Sequence, residues 1–293
     1  TVDNGISCID GVTHAKSLGM QVVVTDHHLP GDVLPPADAI VNPNQPGCEF
    51  PSKNLAGVGV AFYIMLALKA ELQQQGHFER AGLAPPNLAS LLDIVAVGTV
   101  ADVVVLDKNN RILVHQGLQR IRAGKCRPGI KALVEVANRD CAHLTSTDLG
   151  FVVGPRLNAA GRLDDMSQGI ACLLEDETIQ ARMIAAELDA LNKERREIET
   201  GMKAQAETVL EQMALDEGDM PSALVVYRED FHQGVIGIVA GRLKEKYLKP
   251  VIAFAHQDDE IIKGSARSIP GVHIRDVLDE VNTRSPGVIE KFG

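Results

Sequence analysis

Apolar positions along this chain follow two periods, and polar clusters stand where one period gives way to the other. Ile9, Val12, Ala15 and Leu18 recur at helical spacing, Gly19 ends that segment, and Val22-Val23-Val24-Thr25 reads as a buried, β-branched strand. Residues 1–25 are thus strand end, helix, strand, a βαβ crossover. Such crossovers are right-handed, which places Asp3 and Asp26 at one edge of a parallel sheet. Six prolines, Pro30, Pro35, Pro36, Pro43, Pro46 and Pro51, mark a loop region around a short strand at 37–41. Residues 57–73 are apolar almost all the way round, as expected of a buried helix, and 88–97 read as a second one. Gly98-Thr99-Val100-Ala101-Asp102 follows, and an Asp again closes an apolar run.

Further on, Thr145-Ser146-Thr147-Asp148 has helix N-cap chemistry and leads into Gly154-Pro155-Arg156-Leu157-Asn158-Ala159-Ala160-Gly161-Arg162. Residues 176–215 form a long charged amphipathic segment with Ile184, Leu188 and Leu191 on one stripe, read as a connecting helix because a coiled coil needs more heptads. Strands are expected at 223–227, 250–255 and 261–268, with helices between Phe231 and Tyr247 and at 276–281. The pattern predicts an α/β protein in which a parallel-sheet domain (1–175) is joined by a long helix (176–217) to a smaller α/β domain (218–293).

Composition narrows the class. Hydrophobic residues make up 45% of the chain but aromatics only 3%, with no Trp, so the core must be built from Val, Ile, Leu and Ala. A net charge of -10 argues against coating nucleic acid through bulk charge. Locally, Lys108, Arg111, Arg120, Arg122, Lys125, Arg127 and Lys131 form a basic run, either a solvated helix face or a phosphate-tracking surface. The five cysteines are odd in number and show no CxxC spacing, so neither a disulfide framework nor a zinc knuckle is indicated, and a reducing cytoplasm is expected. No apolar stretch reaches the length of a membrane span. The first residue is Thr1, and Val2-Asp3 reads as the tail of a strand, so the sequence is expected to be an internal piece of a longer one.

The candidate chemistry lies at the strand ends. Strands of an open α/β sheet turn their carboxyl ends toward the ligand crevice, so Asp26-His27-His28 is placed to hold a metal or a phosphate; the plainer alternative is loop capping. Carboxylates mixed with imidazole suit Mn²⁺ or Mg²⁺, with the histidines favouring Mn²⁺. Asp3, His27 and Asp102 supply part of a two-ion site, and the remaining acids are expected upstream of Thr1. Arg156 and Arg162 stand among residues small enough for close approach of a ligand, and their fork matches phosphate, although a glycine-flanked helix junction explains the segment equally well. Gly264-Ser265-Ala266-Arg267-Ser268 looks like an anion-binding turn. His232 on its own reads as a core or capping residue.

These segments carry a resemblance. Thr25-Asp26-His27-His28 is similar to the signature of the DHH phosphoesterase superfamily, Val2-Asp3-Asn4-Gly5 to its preceding Asp motif and Gly98 to Val103 to its fourth. Arg156 to Arg162, His232 to Ala240 and Gly264 to Ser268 resemble the RecJ branch, the 5′→3′ single-stranded-DNA exonucleases, which makes the second domain a DHH-associated one. The resemblance implies that Asp3 bridges two ions, that His27 and Asp102 are terminal ligands, that His28 lies by the substrate phosphate and that Asp26 orients the histidines. It implies DNA contacts from Arg156, Asn158, Arg162, Arg267 and Ser268, with His232 a weaker one. Single-stranded DNA is the implied partner, with a single-strand-binding protein and a helicase as candidate protein partners in repair and recombination. Two alternatives stay open: a DHH hydrolase of short oligonucleotides, cyclic dinucleotides or pyrophosphate, and a silent nucleic-acid-binding protein. The superfamily's Asp-x-Asp element would precede Thr1 and a Gly-Gly-His motif would follow Gly293. Without them the chain is expected to bind metal poorly.

Overall fold

The computed structural model describes residues 4–217, 221–258, 261–285 and 287–290. The chain forms two compact units: residues 1–160 with 166–189, and residues 161–165 with 190–293. The division falls inside the long helix, whereas the sequence pattern placed it on either side of that helix.

In the first unit, α1 (Ile9–Ser17) precedes β1 (Val23–Thr25), which pairs in parallel with β2 (Ala39–Val41), Val24 opposite Ile40. Val24 is the strand's buried residue. The expected strand end at Val2-Asp3, and Asp3 with it, lies outside the described residues. Helix α2 (Gly57–Gln74) is followed by the short α3 (His77–Ala81) and by α4 (Leu92–Ala101). The apolar run of α4 continues through Gly98 to Ala101, so Asp102 caps the same helix rather than opening a new turn. Two glycines explain how this central helix is covered so closely. A Cβ on Gly98 would stand 2.8 Å from a Val58 methyl. One on Gly117, in α5 (Lys108–Arg122), would stand 2.2 Å from the Leu92 carbonyl oxygen. Helices α2, α4 and α5 therefore meet at backbone distance around Leu55, Val60, Phe62, Val95 and Leu113.

Helix α6 (Pro128–Val136) and the short α7 (Ser146–Asp148) follow. The latter is closed by a capping box in which the Thr145 and Asp148 side chains each receive the other's backbone N–H. A π-helical turn, Leu149–Val153, leads into α8 (Gly154–Leu163), and α9 (Ser167–Leu174) precedes the 40-residue α10 (Thr178–Glu217). The apolar stripe of α10 changes along its length: Ala181, Ala185 and Leu188 are buried in the first unit, Met202, Ala206 and Leu210 in the second.

The second unit has a mixed sheet. Strand β3 (Leu224–Tyr227) pairs in parallel with β4 (Val251–His256), and β4 pairs antiparallel with β5 (Ile262–Arg267). Between β3 and β4 runs α11 (Ile236–Tyr247), whose Ile236, Val239, Ala240 and Leu243 share a core with Leu224, Val226, Val251 and Ala253. Helix α12 (Ile274–Arg284) is the last described.

Candidate functional site

Strand β1 delivers Asp26 into a buried position, 1% exposed, at the point where the chain leaves the sheet. A carboxylate there needs donors, and the turn around it supplies them. Asp26 accepts from the Ile6 N–H (2.8 Å), the His27 N–H (2.6 Å) and the His28 N–H (3.1 Å), and its Oδ1 lies 2.8 Å from His28 Nδ1. Burial is the largest single influence and pushes the carboxyl upward, but these hydrogen bonds together outweigh it and hold it below the ordinary Asp range. Asp26 is consequently a carboxylate at neutral pH that fixes two consecutive histidines.

The His27 and His28 rings stand 4.4 Å apart, tilted, and donor atoms of Asp26, His27 and His28 all lie within 4.8 Å of one another. His27 Nε2 is 3.5 Å from Asp102 Oδ2, so the cap of α4 meets the end of β1. Two residues that the sequence pattern did not single out hold the turn. Asn42 donates to the His28 carbonyl (2.9 Å) and Asn44 to the His27 carbonyl (2.7 Å), while the Asn42 side chain accepts from the Asn44 N–H. Their only sequence signal is Asn-Pro-Asn directly after a strand, which local turn chemistry explains as well.

Behind Asp102 the chain takes an unusual path. Val103 is β-branched yet sits at φ +63°, in the left-handed region. Its outlet is pinned by Asp107, which caps α5 through the Asn110 N–H and accepts from the Ser52 hydroxyl, and by the Asn110 side chain, which donates to Val105 and Asn54 carbonyls.

The basic residues divide into two kinds. Arg156 is buried, with Nε 2.9 Å and Nη2 2.8 Å from Asp189 Oδ1 and Nη1 donating to the Val152 carbonyl. Its guanidinium is thus held by Asp189 and the Val152 carbonyl. Asn158 is exposed. In the second unit Arg162 donates to the Gly234 carbonyl (3.2 Å). Burial first, then the like charges of Arg195 and Arg267, draw its guanidinium below the usual Arg range, with Glu199 opposing them. Arg195 pairs with Glu199 (2.8 Å), which also holds Arg242 (3.1 Å). Arg267 and the Ser265 hydroxyl lie against Gly237 in the first turn of α11: a Cβ there would be 2.9 Å from both. His232 Nδ1 accepts from the Gly234 N–H, and the Ser268 hydroxyl donates to the Val272 carbonyl.

Gly234 is where this cluster can be tested by geometry. A Cβ on it would stand 2.1 Å from the Arg162 carbonyl oxygen, backbone that cannot swing aside. Gly234→Ala is expected to lower the stability of the second unit by about 1–3 kcal/mol, as overpacking does. Thermal unfolding reads it, and an unchanged melting temperature would contradict the close approach.

Part of the basic run at 108–131 has partners within the first unit. Arg127 pairs with buried Asp93 and donates to it again through its backbone N–H, Arg122 donates to the Leu144 carbonyl, and Lys131 faces Glu135. Arg122 and Arg127 are thereby tied to the fold, as a helix-face reading expects of them.

Comparison with known proteins matches this geometry to a family. The DHH family N-terminal domain matches residues 1–99 and the DHHA1 domain residues 221–293. The chain thus carries a DHH-family domain and a DHHA1 domain. It is 61% identical over 293 residues to the single-stranded-DNA-specific exonuclease RecJ of Salmonella typhimurium, covering 100% of this chain and 51% of that protein. Against RecJ of Bacillus subtilis the identity is 39% over 281 residues, 96% of this chain and 33% of that one. Among solved structures, RecJ of Thermus thermophilus in complex with Mn²⁺ superposes with a TM-score of 0.74 at 34% identity, covering 95% of this chain and 39% of the other. The chain spans about half the length of the curated relatives it matches first. Among the described residues no helix is long and apolar enough to cross a membrane.

Proposed function

We propose that this chain is the catalytic core of a metal-dependent exonuclease that removes nucleotides from the 5′ end of single-stranded DNA. The observation that carries the reading is the clamped Asp26-His27-His28 turn meeting Asp102, in a chain similar to RecJ proteins along its entire length. The donor set fits a divalent ion with some taste for nitrogen. His27 and Asp102 present one imidazole and one carboxylate 3.5 Å apart, close enough to serve one ion, and Mn²⁺ accepts both types where Mg²⁺ prefers oxygen. Asp3 would be the bridging ligand by resemblance.

Two bound ions would supply an activated water and neutralise charge growing on the phosphoryl oxygens. The protein's own residues do the rest. Asp26 locks the His28 ring through Nδ1, which orients that imidazole beside the scissile phosphate. Asn42 and Asn44 hold both histidine carbonyls, so the pair cannot drift apart when charge develops. In the second unit Arg162, Arg267 and Ser268 offer cationic and hydroxyl donors for backbone phosphates, with His232 steadying the Gly234 turn and Asn158 a polar contact on α8. A single-strand-binding protein and a helicase, which deliver unpaired strand, are the protein partners this reading calls for. The thiols of Cys8, Cys48, Cys126, Cys141 and Cys172 are all unpaired, as a reducing cytoplasm allows.

The test uses the protein at the length of its relatives, a 5′-labelled single-stranded oligonucleotide and a blunt duplex, in Mn²⁺ or Mg²⁺. Labelled mononucleotide should be released from the single strand and far more slowly from the duplex. Asp102→Ala should reduce the rate by about 100-fold or more, the order expected when a group that stabilises transition-state charge is lost. An intact oligonucleotide would overturn the reading and direct the search to cyclic dinucleotides and pyrophosphate.

A further inference from the structure

Around the cap of α4 the first unit leaves large apolar side chains exposed. The π-helical turn Leu149–Val153 buries Leu149 and Val153 completely and turns Phe151 outward, 74% exposed. Such turns are rare and concentrate at functional sites. The turn is seated on the end of α4 by two glycines: a Cβ on Gly150 would stand 3.2 Å from a Val100 methyl, and one on Gly154 3.3 Å from the Ala101 Cβ. Phe151 is thus held beside the residues that immediately precede Asp102. It is the one phenylalanine among the described residues that is exposed, in a chain with few aromatics.

Val103, the residue after Asp102, tells the same story by another route. It is 87% exposed, and its left-handed backbone is strained for a β-branched residue by an amount that only surrounding structure can maintain. Leu29, directly after His28, is 78% exposed. Val103 and Leu29 thus directly follow candidate metal residues in the chain, Phe151 stands on a turn packed against the end of α4, and all three side chains are exposed. Exposed apolar surface beside a polar site marks a place where a ligand has an apolar face.

We infer that Phe151 is a stacking platform for a base of the single-stranded substrate next to the phosphodiester that is cut. The inference rests on the nucleic-acid reading above and deepens it. Every base presents a π face, so a phenyl ring recognises a strand without reading its sequence, and an unpaired base offers that face where a duplex base does not. The same residue then contributes to strand selectivity as well as to affinity. The phosphates are gripped by charge; the base is gripped here by dispersion.

The experiment measures equilibrium binding, in Ca²⁺ to suppress turnover, of a thymidine oligonucleotide and of the same oligonucleotide with abasic sites at its 5′ end, by fluorescence anisotropy. It compares the wild type at the length of its relatives with Phe151→Ala and Phe151→Trp. Phe151→Ala should weaken binding of the intact oligonucleotide by about 5- to 100-fold, the span of a lost base–aromatic stack. It should leave binding of the abasic one and the melting temperature unchanged, since an exposed ring supports no core. Phe151→Trp should bind the intact strand at least as well as the wild type. Equal losses on intact and abasic strands, or no loss on either, would overturn the platform. If the wild type itself fails to bind single-stranded DNA, the nucleic-acid reading falls and the platform with it. A wild type that binds with an indifferent Phe151→Ala removes the platform alone.

Discussion

Asp26→Ala is expected to destabilise the first unit by about 3–5 kcal/mol, the cost of breaking a buried, hydrogen-bonded charge, and to weaken divalent-metal binding by about 10- to 100-fold, as loss of a residue that orients metal ligands does. The two effects share one origin. The carboxylate receives the Ile6, His27 and His28 N–H groups and faces His28 Nδ1, so its removal leaves buried donors with no acceptor and the His28 imidazole without its partner. Asp26→Asn separates shape from charge. An amide fills the same space but turns an NH₂ group toward donors, so it should recover part of the stability and little of the metal affinity. Thermal unfolding and calorimetric titration with Mn²⁺ read the two quantities. An Asp26→Ala protein that melts like the wild type and binds Mn²⁺ equally would show that the turn is held by Asn42 and Asn44 alone.

Asp26 also marks how far the sequence could be read. Its position was legible because a Val run ending in Asp-His-His has no other economical fold: the run must be a strand, and polar residues at its end must face a crevice or a cap. The same logic located Asp102, but the helix before it was read as ending at Val97. The missing Cβ of Gly98 is needed for α2 to approach α4, and the helix runs on to the aspartate. Propensity cannot distinguish a glycine that ends a helix from one that lets another helix in. Asn42 and Asn44 escaped notice because what they bond to, the carbonyls of His28 and His27, is 14 and 17 residues away in the chain. The acid that answers Arg127 is Asp93, 34 residues away, and so a basic run that looked unopposed is not. Long-range partners of this kind leave no periodicity behind. The long helix was visible throughout, whereas its change of buried stripe between Leu188 and Met202 follows from which unit each turn packs into.

Arginine in the segment from Arg156 to Arg162 makes the sharpest case, because identical side chains six residues apart are expected to fail differently. Arg156→Ala removes a guanidinium from Asp189, whose side chain is 6% exposed, and should cost about 3–5 kcal/mol, the usual result of breaking a buried pair. Asp189→Ala should cost a comparable amount. The double variant should be less damaging than the sum, since the two losses share one interaction, and the coupling between two groups in direct contact should reach about 1–3 kcal/mol. Arg162→Ala should behave in the opposite way. Its guanidinium donates to one carbonyl and is crowded by two other arginines, so its loss relieves repulsion and leaves melting nearly unchanged. Single-strand affinity should fall instead, with the slope of log affinity against log salt shrinking by about one phosphate contact. Melting curves and salt titrations on both variants decide the matter. A stable Arg156→Ala protein that has lost affinity and salt dependence would return Arg156 to the DNA and leave its ion pair with Asp189 without consequence.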